Sequence, residues 1–247
     1  MYDIERREKI LEILKKEKSC SVANLAKTLN YSEATIRRDL NILDKELKIH
    51  KTFGGAVIFD TYSSEVPITI RRSENTEIKK RLCQSAVKLI EDNMTIILAA
   101  STTTEYIVPY LKSYSNLTVI TNSPDVPKML SDTGIVVYST GGRFLHHTNS
   151  FVGEFARNML NGINADIMFF SARGISLEGK VTVSSTEDDI HKTMMKNSSR
   201  TCLIADSSKF DKIFPFTIAN VSDIDYLITD KPLPSPLDHR NLILAEK

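Results

Sequence analysis

Two adjacent arginines, Arg37 and Arg38, lie shortly after a serine and a threonine within residues 32–40. An arginine can donate two hydrogen bonds to a guanine edge, and a threonine can contact a base edge or a thymine methyl group. The same side chains can instead hold a backbone phosphate. We therefore interpret this segment as the start of a DNA-recognition helix, with Thr35, Arg37 and Arg38 as contacting residues.

Short polar segments also follow apolar runs in the second part of the chain, at residues 101–104, 121–123, 139–143, 171–174 and 206–209. They contain hydroxyl groups, glycines and cationic side chains, which suit an anion such as phosphate. If the apolar runs are parallel strands, these segments meet at the carboxyl ends, where open α/β sheets bind ligands. Any one of them could be an ordinary turn or cap, but five on one edge predict a pocket.

Three short amphipathic helices are predicted in the first sixty residues, and they would position the arginines. The first spans about residues 4–17, the second follows the cap Ser21, and the third follows the cap Ser32. Their inward-facing residues are Ile10, Leu11, Ile13, Leu14, Leu25, Ala26, Leu29, Ile36, Leu40 and Leu43. Two short helices joined by a tight turn at residues 30–31 match the helix-turn-helix plan.

Residues 48–58 predict two short strands after the third helix, which would form the wing of a winged helix-turn-helix. The predicted DNA-binding set is Ser21, Ser32, Thr35, Arg37, Arg38 and Lys51. Because the formal net charge is only +1, attraction to DNA would come from this local surface rather than from the field of the whole protein. The alternative is a helical subdomain whose arginine pair is solvated surface.

Six apolar runs after residue 90 predict buried strands, at residues 95–99, 117–120, 135–138, 167–170, 202–205 and 226–228. Helical segments fall between most of them, which indicates a mainly parallel α/β sheet covered on both faces. An amphipathic helix is predicted before them at residues 77–91, with a polar side of Lys79, Lys80, Arg81 and Lys88. Three prolines between residues 232 and 236 disfavour a helix in the tail.

Composition favours a two-domain protein of the cytoplasm. Hydrophobic residues make up 41% of the 247 residues, so buried cores can form. The three cysteines are widely spaced without a CxxC pair, which indicates a reduced compartment. Because signal-peptide and membrane-spanning patterns are absent, no membrane association is expected. We predict a DNA-binding domain at residues 1–58, a linker at 59–73 and an α/β domain at 74–247, with no cofactor.

The motifs in the first sixty residues resemble the DeoR family of bacterial transcription regulators. The resemblance rests on Arg6, Ile10, Leu14, residues 32–40 and Gly54-Gly55-Ala56. Two positions depart from the family pattern: Lys51 stands where the family usually has Arg, and Phe53 where it usually has His. Lysine keeps the charge but lacks the bidentate fork of arginine, so we expect looser wing contacts.

The second part of the chain resembles the sensor domain of the same family at residues 121–123, Gly141, Gly142, Gly153, Lys192 and residues 206–210. The resemblance implies a Rossmann-type, ribose-phosphate-isomerase-like fold that binds sugar phosphates. The effector-binding residues it implies are Ser101, Thr102, Thr103, Thr121, Asn122, Ser123, Gly141, Gly142, Lys192 and Lys209. Ala99 and Ser101 depart from the family's Asp and Gly. Since Ala99 cannot accept a hydrogen bond from a sugar hydroxyl, a different ligand remains open.

Three functions are compatible with these features. The first is a repressor of a sugar-metabolism operon, controlled by a phosphorylated sugar, that binds double-stranded operator DNA as a dimer or tetramer. The second is a sugar-phosphate isomerase-like enzyme with a DNA-binding head, whose base would be Glu187, Asp188, Asp189 or Asp206. The third is an architectural DNA binder without an effector. We expect the first, and therefore a protein that is not an enzyme.

Overall fold

The computed structural model describes residues 3–17, 19–45, 48–52, 54–58, 68–185 and 190–246. The chain divides into two compact units, Met1–Glu74 and Asn75–Lys247, and each unit has its own hydrophobic core. Of the segment predicted as a linker, residues 59–67 lie outside the described part. The remainder contains a helix, Ile68–Ser73, at the end of the first unit.

The first unit combines helices with short strands. In chain order, its described elements are α1 (Asp3–Glu17), β1 (Ser19–Ser21), α2 (Val22–Leu29), α3 (Glu33–Lys45), β2 (Ile49–Lys51), β3 (Gly55–Ile58) and α4 (Ile68–Ser73). Ile10, Leu14, Leu25, Ile36 and Leu40 are fully buried in its core. Burial of each such side chain contributes about 2 kcal/mol, so the predicted apolar faces hold α1, α2 and α3 together.

The turn between α2 and α3 is fixed by capping residues. Ser21 Oγ accepts a hydrogen bond from the Asn24 N–H at 3.1 Å and caps α2. Asn30 ends that helix with a φ of 56°, in the left-handed region that asparagine tolerates better than most residues. Ser32 Oγ accepts from the Thr35 N–H at 3.2 Å and caps α3. The predicted helix-turn-helix is therefore confirmed.

The wing is the antiparallel pair β2–β3, as predicted, but the sequence reasoning missed a third strand. β3 is the central strand of the sheet, because β1 pairs with its other edge. Gly55 lies opposite Ser21, and a Cβ at Gly55 would overlap the carbonyl oxygen of Cys20. Glycine is thus required where β1 approaches, and the sheet ties the wing to the start of α2.

The described part of the second unit contains twelve strands and five α-helices. The strands are β4 (Thr95–Leu98), β5 (Thr118–Thr121), β6 (Val136–Ser139), β7 (Arg143–Leu145), β8 (Ser150–Val152), β9 (Ile167–Phe170), β10 (Gly174–Ile175), β11 (Lys180–Val183), β12 (Thr201–Ile204), β13 (Phe216–Asn220), β14 (Tyr226–Thr229) and β15 (Leu242–Leu244). The helices are α5 (Thr76–Ala86), α6 (Val108–Leu111), α7 (Asp125–Met129), α8 (Glu154–Leu160) and α9 (Ile190–Lys196).

Seven of these strands form one parallel sheet in the order β15-β14-β12-β9-β4-β5-β6. Alternate side chains enter two cores: Ile97 packs on one face beneath α8 and α9, and Leu98 packs on the other beneath α5, α6 and α7. The predicted parallel sheet with both faces covered is confirmed. The strand order reverses between β4 and β9, which is the place where sheets of this kind open a ligand crevice.

Other parts of the second unit differ from the sequence-based expectations. β15 joins the edge of the sheet, and β10, β11 and β13 form a small antiparallel sheet; neither was predicted. The helix predicted at residues 77–91 ends at Ala86 and continues as a 3₁₀ turn to Leu89. No helix follows residue 230 in the described tail, as the prolines indicated. Within the described ranges, no helix is both long and apolar enough to cross a membrane.

Candidate functional site

The start of α3 presents the residues predicted to contact DNA. Arg37 and Arg38 are exposed, and the guanidinium of Arg37 forms an ion pair with Glu33 at 3.0 Å, one turn earlier. The Thr35 hydroxyl lies 2.9 Å from that of Ser32 and so belongs to the helix cap. Arg38 has no hydrogen-bond or ion-pair partner among the residues that the structure describes. An exposed arginine pair therefore follows the capped turn, with one member held by Glu33.

The opposite side of α3 is anchored to α1 by a buried ion pair. The Nε and Nη2 atoms of Arg6 both donate to the Asp39 carboxylate, and Nη2 also donates to Asp3 at 3.0 Å. The Arg6 guanidinium also lies 4.7 Å from the centre of the Tyr31 ring. These hydrogen bonds, that from Asp39 above all, raise the pKa of Arg6 above its ordinary value. The pair sets the position of α3 against the rest of the first unit.

The predicted wing contact, Lys51, lies on the exposed side of β2. Its ammonium donates to the side-chain oxygen of Asn41 on α3, and its backbone N–H donates to the Asp44 carboxylate at 3.0 Å. These two bonds hold the wing against the C-terminal half of the recognition helix. Phe53, the other position that departs from the family pattern, lies outside the described residues.

A second candidate site lies along the carboxyl ends of the parallel strands in the second unit. Because β12, β9, β4, β5 and β6 are consecutive in the sheet, the segments that follow them share one edge. This edge brings together Ser101, Thr102, Thr103, Thr121, Asn122, Ser123, Gly141, Gly142 and Lys209 of the predicted effector set. Lys192, by contrast, is an exposed residue of α9 and does not belong to any of the segments that directly follow these strands.

The segment after β4 forms a tight turn rather than an open loop. Ser101 Oγ accepts from the N–H groups of Thr103 and Thr104, at 3.3 and 2.9 Å. The side chains of Thr102 and Thr103 are nearly inaccessible. The backbone N–H groups of Ser101 and Thr102 have no acceptor among the described residues, and adjacent N–H groups of this kind can bind an anion.

The side chains after β5 hold the neighbouring loops in place. Asn122 Oδ1 accepts from the Ala100 N–H at 2.8 Å, and its Nδ2 donates to the Phe151 carbonyl at 3.2 Å. The Thr121 hydroxyl donates to the Leu98 carbonyl at 2.7 Å and accepts from the Ser123 N–H at 3.0 Å. Both side chains are buried and engaged within the chain. This geometry supports a positioning role for Thr121 and Asn122.

The two glycines after β6 adopt conformations that other residues disfavour. Gly141 has a φ of 57° and Gly142 a φ of 107°. A Cβ on Gly142 would lie 2.7 Å from the Val152 carbonyl oxygen, whereas one on Gly141 would meet nothing within 4 Å. Gly142 is therefore required by the close approach of β8, and Gly141 by its backbone angle alone.

The segment after β12 places an acid beside two lysines. The Asp206 carboxylate is buried and accepts from the Ser208 N–H at 3.0 Å and from Asn75 Nδ2 at 3.1 Å. Burial by itself raises the pKa of Asp206, but the charges of Lys209 and Lys79 and the bonds from Ser208 outweigh it and lower the pKa below its ordinary value. Asp206 is therefore ionised near neutral pH.

Lys79 was assigned to the polar side of its helix, and this expectation is wrong. Its side chain is buried, with 3% of the residue exposed, and Nζ donates to Thr102 Oγ1 at 3.3 Å. Lys79 shares a face with Leu82, Cys83 and Ala86, at helical spacings of three, four and seven residues. That spacing was the signal available in the sequence. Lys80, by contrast, is exposed and pairs with Glu77 at 2.7 Å.

Ala99, where the family usually has Asp, is buried in the core on the α8–α9 side of the sheet. It presents no hydrogen-bonding side chain to the crevice. Of the acids considered as a catalytic base, residues 187–189 lie outside the described part of the chain. The carboxylate of the remaining candidate, Asp206, accepts hydrogen bonds from Asn75 and Ser208.

Comparison with known proteins extends these observations to the whole chain. A family model described as "DeoR-like helix-turn-helix domain" matches residues 6–62, and one described as "DeoR C terminal sensor domain" matches residues 74–231. The two matches cover both units and leave only short segments unmatched.

Similar proteins are named as regulators of transcription. The L-fucose operon activator of Haemophilus influenzae is 32% identical over 94% of this chain and 94% of its own length. Transcriptional repressor AccR of Agrobacterium fabrum is 30% identical over 92% of this chain and 89% of its own. Among solved structures, ribose 5-phosphate isomerase A of Methanocaldococcus jannaschii has 17% identity and a TM-score of 0.42, over 56% of this chain and 55% of that one. With a capped helix-turn-helix in the first unit, a parallel α/β sheet in the second and family matches across both, the chain belongs to the DeoR family of transcription regulators.

Proposed function

We propose that this regulator represses a sugar-metabolism operon in the cytoplasm and that a phosphorylated sugar controls its binding to double-stranded operator DNA. The exposed pair Arg37 and Arg38, at the capped start of α3, carries the DNA-binding half of the proposal. Ser21 and Ser32 each cap a helix, since each side chain accepts a backbone N–H, and both stay in the proposed DNA-contacting set. Lys51 supports phosphate contact from the wing because it is exposed and cationic.

A binding assay tests the DNA-binding half. A DNA site is first enriched from a randomised pool with the wild-type protein, and its affinity is then measured at fixed salt for Arg37→Ala, Arg38→Ala and the control Lys16→Ala on α1. We expect each recognition-helix variant to lose about tenfold or more in affinity, because a bidentate contact to a base discriminates by about 1–3 kcal/mol. Losses no larger than that of Lys16→Ala would remove the recognition-helix assignment.

The effector half rests on the strand-end segments of the second unit. Hydroxyl groups at Ser101 and Ser123, the glycines 141–142 and the ammonium of Lys209 lie along one edge of the sheet. Such groups suit the phosphate of a small metabolite. The relative named for an L-fucose operon supports a link to sugar metabolism. Lys192 is kept in the proposed set by the family resemblance alone.

Thermal unfolding tests the effector half. A panel of sugar phosphates is compared with the same sugars lacking the phosphate, in the wild type and in Lys209→Met. We expect at least one phosphorylated sugar to raise the unfolding temperature of the wild type, the free sugar to have no effect, and Lys209→Met to need more ligand for the same rise. A panel without any stabilisation would contradict a sugar-phosphate effector.

A homo-oligomer is part of the proposal, because paired half-sites on DNA need paired recognition helices. The sign of regulation is tested with a reporter gene behind the enriched site, since one relative is named a repressor and another an activator.

The enzyme alternative has less support. The Asp206 carboxylate accepts hydrogen bonds from the Ser208 N–H and from Asn75 Nδ2. The Asp230 carboxylate accepts hydrogen bonds from the N–H and the hydroxyl of Ser207.

A further inference from the structure

The strand β6 lies at one edge of the seven-stranded sheet, and in the described part of the chain no strand pairs with its outer side. The Thr140 N–H donates to the Thr121 carbonyl at 2.9 Å and so continues the pairing between β5 and β6. Successive residues of a strand direct their N–H and C=O groups to opposite sides, so those of Tyr138 also point to β5. Those of Val137 therefore point to the open edge, where another strand can pair with them.

Exposed apolar side chains lie beside this edge. Val136 and Tyr138 are each 51% exposed. They point to the face of the sheet that α8 and α9 cover, because Tyr138 is paired with Ile120, which belongs to the core on that face. On α8, Phe155 is 82% exposed, although its neighbour Ala156 is buried in the same core. The helices thus cover this face at β5 and leave it open at β6.

The charge pattern favours a second copy of this chain as the partner. Residues 133–142 carry no charged side chain, and the nearest charges along the chain are those of Asp132 and Arg143. Charged residues commonly protect an edge strand from pairing, and Arg240 and Glu246 flank the opposite edge strand β15 in this way. An antiparallel second copy would set uncharged residues against each other and bring no like charges together.

We propose that β6 pairs with β6 of a second copy of this chain, antiparallel about a two-fold axis at Val137. This inference deepens the proposed function, because it rests on the homo-oligomer that paired half-sites require. The two copies of Val137 exchange both of their backbone hydrogen bonds. Val136 of each copy lies opposite Tyr138 of the other, on the same face of one continuous sheet. The two copies of Phe155 flank this apolar strip.

Charge substitutions test the pairing, with sedimentation velocity over a concentration series as the measurement. Val136→Lys combined with Tyr138→Lys sets lysines opposite each other, whereas Val136→Glu combined with Tyr138→Lys sets glutamate opposite lysine. Ile213→Lys combined with Phe216→Lys changes two other exposed apolar residues and is the control. We expect the double-lysine variant to weaken self-association about tenfold or more, and the glutamate–lysine and control variants to stay within about threefold of the wild type.

The outcomes separate this interface from the proposed function. A monomeric wild type overturns the inference, and so does an oligomer that the double-lysine variant leaves intact or that the control variant dissociates. In the last two cases the proposed homo-oligomer stands on another surface. A glutamate–lysine variant as weak as the double-lysine variant overturns the antiparallel pairing at Val137. Affinity of the same preparations for the enriched DNA site reports separately on the proposed regulator.

Hydrogen exchange of the wild type serves if the double-lysine variant does not fold. The Val137 N–H is expected to be protected in the dimer and to exchange rapidly once dilution yields the monomer. Rapid exchange in the dimer contradicts the inference. Protection that persists in the monomer would place a segment of the same chain on this edge, and it overturns the inference as well.

Discussion

Arg6 and Asp39 lie 33 residues apart in the chain and form a buried ion pair that joins α1 to the recognition helix. Their side chains are only 8% and 4% exposed. A buried pair of this kind contributes little net stability, because desolvation offsets the attraction between the charges. Its directional hydrogen bonds instead fix how α3 is held, so that Arg37 and Arg38 face outward.

Removing one member of this pair is expected to destabilise the first unit strongly. Arg6→Met leaves the Asp39 carboxylate buried without its cation, which costs about 3–5 kcal/mol in the free energy of unfolding. Urea unfolding of the full chain, followed by circular dichroism, measures the loss. Arg7→Met, one residue along α1, is the control. The double variant Arg6→Met with Asp39→Leu should recover part of the stability; a double variant less stable than Arg6→Met alone would argue against the pair.

Glu33 is expected to limit binding to unrelated DNA. Its carboxylate holds Arg37 at 3.0 Å, and both side chains are about half exposed. Glu33→Gln weakens this ion pair and removes a negative charge near DNA phosphates. We expect affinity for random-sequence DNA to rise about three- to fivefold and its salt dependence to steepen. Fluorescence anisotropy over a salt series checks this, with Glu8→Gln on α1 as the control. Equal behaviour of the two variants would show that the pair has no such role.

Gly141 and Gly142 are expected to respond differently to the same substitution. Gly141→Ala places a Cβ in open space at a φ of 57° and should cost about 1 kcal/mol. Gly142→Ala adds an overlap with the Val152 carbonyl to an unfavourable φ, and should cost about 3 kcal/mol. Denaturant unfolding of the sensor unit in the full chain measures both. If the two variants are equally stable, β8 does not approach Gly142 as described.

The acid sensitivity of the second unit is expected to depend on Asp206. Its pKa in the folded protein is below the ordinary value of 3.8, so its ionised form stabilises the fold above that pH. The stabilisation is lost as the pH falls below 3.8 through the lower folded pKa. The difference in unfolding temperature between the wild type and Asp206→Asn should therefore shrink as the pH falls from about 4 through the folded pKa. Asp132→Asn, at an exposed site, is the control, and a gap independent of pH would be the contrary result.

Local chemistry made much of the fold predictable from sequence. Ser21, Asn30 and Ser32 act within three residues of their own positions, so their roles in the turn could be derived from residue type. The strands β4 and β9 were found because each is a continuous apolar run. β1 and β15 were missed because each is only three residues long and forms through pairing with a distant strand.

The candidate sites divide in the same way. The exposed Arg37 and Arg38 follow from helical spacing, but the Arg6–Asp39 pair depends on tertiary packing across 33 residues. The prediction that Lys79 lies on the polar side of its helix followed from its charge, although its spacing to Leu82 and Cys83 indicated the buried face. The role of a side chain also depends on its hydrogen-bond partners. Thr121 and Asn122 were predicted to bind the effector, but their side chains form hydrogen bonds to backbone groups of the chain itself, which residue type alone does not reveal.

The separate core of the first unit has a consequence for the order of folding. Its buried residues run from Ile10 to Ala56 and are all synthesised before the first strand of the parallel sheet. Domains generally fold as units during synthesis, the N-terminal one first, and parallel sheets with distant pairings fold slowly. The DNA-binding head can therefore be complete while its sensor is still on the ribosome. A chain cut short after the head would keep its recognition helix and have nothing with which to sense a metabolite.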